Sequence, residues 1–81
     1  MPESTEELRT KIRERFDGSI DSEGPTKYLE NAGYVLTPQW VWIAKPGVTS
    51  YEEMTPEELE CLDFLIQEWD YGGLEHLPER D

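Results

Sequence analysis

The stretch from Thr55 to Asp70 is the one segment whose structure local chemistry dictates from end to end. Thr55 offers an N-cap oxygen, Pro56 occupies the first helical position where no N–H is needed, and Glu58 completes a capping box. Met54 stands where it can staple onto Leu59. The spacing predicts a helix over 55–70, closed by Gly72-Gly73. At roughly 100° per residue, Leu59, Leu62, Leu65, Ile66 and Trp69 share an arc of roughly 120° that must face a core. A chain of 81 residues has room for one modest core. Everything else has to be arranged around this helix.

A first helix is expected over 4–16. Ser4 and Glu7 form a capping box, Leu8, Ile12 and Phe16 repeat on one face, and Gly18 supplies a stop. Glu7 precedes Lys11 in the favourable order, while Arg9, Arg13 and Arg15 form the chain's only basic cluster. Asp17 to Gly24 reads as a polar turn. Its Asp/Ser alternation resembles the start of a calcium loop, but Ser22 replaces the glycine and Tyr28 replaces the closing glutamate that such a loop requires. No metal is expected there. A short helix over 25–32 follows, with Pro25 in its first turn and Gly33 past its end. Strands are expected at 34–37 and 40–45, where β-branched and aromatic residues concentrate. Pro38 excludes a primed two-residue turn, so the connection must be longer and type I-like. Alternation puts Trp40 and Trp42 on one strand face. The expected fold is a single α+β domain spanning 1–81, in the order α-α-β-β-α, its two-stranded antiparallel hairpin packed on the C-terminal helix.

Charge is distributed unevenly. The formal net charge is −12, and residues 49–81 carry eleven acids against Arg80 alone. Between Pro46 and Glu79 there are ten acids and no Lys or Arg. Such crowding opposes folding, because like charges one turn apart repel. It also disfavours nucleic acid and anionic membranes as direct partners, since both demand positive charge. No segment resembles a signal peptide or approaches the roughly 20 apolar residues of a membrane span, which points to the cytoplasm.

Catalysis is not expected. There is one His and one Cys, no Gly-rich phosphate loop, and no Ser with a matching His and acid. Neighbouring carboxylates suppress a reactive thiolate at Cys61, which reads as a helix residue, and His76 reads as a surface residue. Neither cofactor nor metal is implied. Binding is the better expectation.

On the third helix Glu60, Asp63, Gln67 and Asp70 fall together beside the apolar arc, and Phe64 lies away from that arc between Glu57, Glu60 and Glu68. Read as a docking surface, these carboxylates present negative charge as a nucleic-acid backbone does, with Phe64 as anchor. The partner would be a basic protein, one that handles nucleic acid, inhibited or modulated by this contact. The alternative is a structural or adaptor subunit that self-associates, as a homodimer for example, or docks through Trp40, Trp42 and Tyr71, its acidity serving solubility alone. In composition, though in no motif, the chain resembles small acidic phage-encoded proteins that disable host nucleic-acid enzymes by mimicking DNA.

Overall fold

The computed structural model describes residues 5–18 and 20–78. Three helices and a two-stranded antiparallel sheet follow in the expected order: α1 (Thr5–Arg15), α2 (Glu23–Ala32), β1 (Val35–Leu36), β2 (Trp42–Ile43) and α3 (Pro56–Trp69), with a single 3₁₀ turn at Tyr51–Glu53 before α3. The fold is α+β. The cap expected from Ser4 lies outside the described residues.

Local chemistry sets most of the boundaries. Thr55 accepts from the Glu58 N–H, and the Glu58 carboxylate accepts from the Thr55 N–H, so the capping box is complete. After α1 both Asp17 (φ 55°) and Gly18 (φ 88°) are left-handed, and after α2 Gly33 (φ 117°) takes that position. The stop of α3 differs from expectation. Asp70, at φ 56°, is the left-handed cap, and the Tyr71 N–H returns to the Leu65 carbonyl. Gly72 and Gly73 serve another purpose. They let the chain run close beside β2, where a Cβ on Gly72 would lie 2.9 Å from Val41 Cγ2.

The hairpin is shorter than the composition suggested. Val35 pairs with Ile43 and Leu36 with Trp42. Between the strands, Pro38 and Gln39 occupy the corner of a turn in which the Trp40 N–H donates to Thr37 O at 2.9 Å and the Thr37 N–H to Val41 O at 2.8 Å. Trp40 then adopts φ 64°. This is a type I turn followed by a left-handed residue, the three-residue hairpin loop. Because that residue breaks the alternation, Trp40 and Trp42 do not share a face.

A third segment completes the sheet edge. The Trp42 N–H donates to Gly73 O at 2.9 Å and the Glu75 N–H to Trp42 O at 2.7 Å, in a parallel bridge between Trp42 and Leu74. Tyr51 secures it, donating to Pro78 O at 2.8 Å and accepting from the Leu74 N–H at 3.1 Å.

α3 lies at the centre, packed against both α1 and α2. The core gathers Ile12, Leu29, Tyr34, Trp42, Met54, Cys61, Leu62, Phe64 and Leu65 from the three helices, β2 and the segments beside them. Cys61 to Leu65 are five consecutive buried residues. A helix covered on two sides has no single apolar arc, and this explains two departures. Phe64, expected outside the arc, is fully buried, while Trp69, expected inside it, is 44% exposed.

Candidate functional site

Of the residues expected on an acidic docking face, the fold brings only some to the surface. Glu57, Gln67 and Asp70 are exposed. Asp63 is buried, and both it and Gln67 have partners. Phe64 is covered completely and cannot anchor an external molecule. Glu60 and Glu68 turn toward α1. Arg9 grips Glu68 through both Nε and Nη2, the second at 3.2 Å. Arg15 Nη1 lies 3.0 Å and Lys11 Nζ 3.5 Å from Glu60. Arg9, Lys11 and Arg15 of α1 therefore answer Glu60 and Glu68 of α3 within the same chain. The hydrogen bond from Arg9 holds the Glu68 carboxyl below its ordinary range.

Glu58 has a second role beyond its cap. Its carboxylate, 5% exposed, accepts from Lys45 Nζ at 2.6 Å and from Tyr34 Oη at 3.0 Å. Burial alone would raise this carboxyl. Lys45, the Thr55 N–H and Tyr34 outweigh burial and hold it below the ordinary value. The cluster fastens the start of α3 to the segments flanking the hairpin. Burial pushes the Cys61 thiol up to about 12, leaving little thiolate at neutral pH. Among the described residues, no group of three or more His, Cys, Asp or Glu is placed to hold a metal ion, and no helix is long and apolar enough to cross a membrane.

The aromatic side chains tell a different story. Trp42, expected as a candidate interface residue, is 0% exposed and belongs to the core, its strand position directing it inward. Trp40 is 55% exposed and leans on Tyr71, ring centroids 5.1 Å apart at 53°. Trp69 joins them. Together with Ser22 and Asp70 these rings line an open groove of about 430 Å3. Two left-handed residues create it. Trp40 ends the hairpin turn and Asp70 ends α3, and a hydrogen bond of 2.6 Å from the Gly72 N–H to Trp40 O holds the two chain reversals together. A bulky residue at positive φ costs roughly 1–2 kcal/mol relative to glycine. Strain of this kind collects at functional positions, and here it presents a tryptophan to solvent.

Residues 1–80 match the family described as phage Pam3 gp59 related protein. The chain belongs to that family. No curated protein and no solved structure matches it. The phage connection suggested by composition thus has a counterpart in sequence, while the family description specifies no activity.

Sequence reasoning identified Trp40 and Tyr71 as candidates but missed Trp69. The available signal was its position in the last turn of α3, directly before Asp70 and Tyr71, where an apolar arc runs past the end of the core.

Proposed function

We propose that this chain is a small, non-catalytic protein-binding module that docks through Trp40, Trp69 and Tyr71 onto a basic partner protein. The observation that carries the reading is Trp40, held at positive φ and 55% exposed against Tyr71. Large aromatic side chains in a concave setting are what interfaces draw affinity from. The net charge of −12 favours approach by a cationic protein and opposes association of two copies. A nucleic-acid mimic would need Glu60 and Glu68 directed outward, and both are engaged with α1. Orientation in this reading comes from the overall field and from Asp70.

Photocrosslinking tests the proposal. A photoreactive amino acid at exposed Gln39, beside Trp40, should yield one defined basic protein in host cells producing the chain, and Trp69→Ala should abolish that product. The same residue at exposed Arg13 on α1 should not yield it. Identical products from both positions, or persistence after Trp69→Ala, would remove the aromatic surface from consideration.

A further inference from the structure

The groove between the end of α3 and the hairpin turn combines three aromatic rings with one carboxylate, and no Lys or Arg lines it. Elsewhere the chain places its own cations over aromatic faces: Arg15 lies 6.0 Å from the Tyr28 ring centroid and Lys45 lies 5.6 Å from that of Tyr34. The groove's rings have no such cation from within the chain among the described contacts. The electron-rich faces of Trp and Tyr attract cations, and most strongly where water is partly excluded. A carboxylate beside them adds a formal charge and a hydrogen-bond acceptor. Trp40 and Tyr71, tilted at 53°, make two non-parallel walls, with Trp69 and Asp70 completing the lining. A neutral aliphatic group would leave Asp70 without a counter-charge. A phosphate or carboxylate would meet it directly.

We infer that this groove is a receptor for a single guanidinium side chain, an arginine presented by the basic partner, held over the rings of Trp40, Trp69 and Tyr71 and paired to Asp70. Arginine suits it better than lysine, because a planar delocalised cation both stacks on the rings and donates to the carboxylate from its edge. The inference rests on the docking reading above and specifies the chemistry at its centre.

The test is a titration of the full chain with acetyl-arginine amide, followed by the indole N–H resonances of its tryptophans at fixed ionic strength. Acetyl-citrulline amide, nearly the same shape without the charge, is the comparison ligand. Trp40 and Trp69 should shift saturably with the arginine amide while buried Trp42 stays still. The citrulline amide should bind about tenfold more weakly, the scale of a partly desolvated cation–π contact. Asp70→Asn should weaken the arginine response while leaving the Trp42 resonance unmoved. Equal shifts from the two amides overturn the cation site yet leave an apolar docking surface standing. No saturable shift, or one centred on Trp42, overturns it as well. The crosslinking experiment does not depend on side-chain charge in the groove, so it tests the docking surface separately.

Discussion

Arg9 of α1 and Glu68 of α3 meet in a two-pronged pair, Nε and Nη2 of the guanidinium each donating to one carboxylate oxygen. Nearly two turns further along α1, Arg15 faces Glu60, and between Glu60 and Glu68 on this side of α3 lies Phe64, fully buried. α1 thus covers this side of α3 with apolar residues, Leu8 and Ile12, flanked by bases that match the flanking acids. Between Pro46 and Glu79 the chain has no Lys or Arg, and Glu60 and Glu68 find their cations across the fold rather than along their own helix.

The Glu58 cluster carries a pH signature. Its carboxyl is depressed in the folded state, so its contribution to stability is fully present above the ordinary value of 4.5 and disappears as pH falls through the lower folded value. Glu53 and Glu68, also depressed, act in the same direction. Lys45→Met leaves the Glu58 charge without its cation and should cost about 2 kcal/mol at neutral pH, less than for a fully enclosed pair because Lys45 is 28% exposed. Urea midpoints measured at pH 7 and pH 3 should then differ less in the variant than in the wild type. An equal difference in both would dissociate Lys45 from the effect.

Phe64 and Trp40 should differ sharply in how much truncation costs. Phe64→Ala opens a cavity at a fully buried position and should cost about 3–5 kcal/mol, a large share of the roughly 4–12 kcal/mol typical of a chain this long. Trp40→Gly loses its contact with Tyr71 but relieves the positive φ, so stability should change by about 1 kcal/mol or less. Chemical denaturation distinguishes the two. A neutral Phe64→Ala would mean that this ring faces solvent.

Gly73 holds the C-terminal segment through the space it leaves empty. A Cβ there would stand 2.3 Å from Tyr51 Oη, so Gly73→Ala must displace the hydroxyl that bonds Leu74 N–H and Pro78 O. Amide exchange at Leu74 and Glu75 should accelerate, with amides in the centre of α3 little changed. Tyr51→Phe removes the same hydroxyl without the clash and should speed exchange at Leu74. Unchanged exchange in both variants would show that Tyr51 does not secure this segment.

Elements governed by neighbouring residues were legible in the sequence. The capping box at Thr55 and Glu58, the glycine stops after α1 and α2, and the type I-like turn forced by Pro38 all depend on a few adjacent side chains. What was not legible depends on distant pairing. Periodicity assigns a helix one apolar face, so it could not anticipate that α1 and α2 both cover α3, burying Phe64 and releasing Trp69. Nor could β-propensity anticipate that Trp40 would take a left-handed position, separating it from Trp42. The match between the bases of α1 and the acids around Phe64 was present in the residues, but only the packing of α1 on α3 brings them together.

Glu60 and Glu68 serve the fold by fastening α3 to α1, which leaves the aromatic groove as the surface offered to other molecules. Urea denaturation of the Glu60→Gln/Glu68→Gln double variant measures this directly. Removing carboxylates held by Arg9, Lys11 and Arg15 should lower the midpoint, and high salt should narrow the gap to the wild type. An unchanged or higher midpoint would contradict it, because the two charges would then be repelling their neighbours and not fastening α3 to α1.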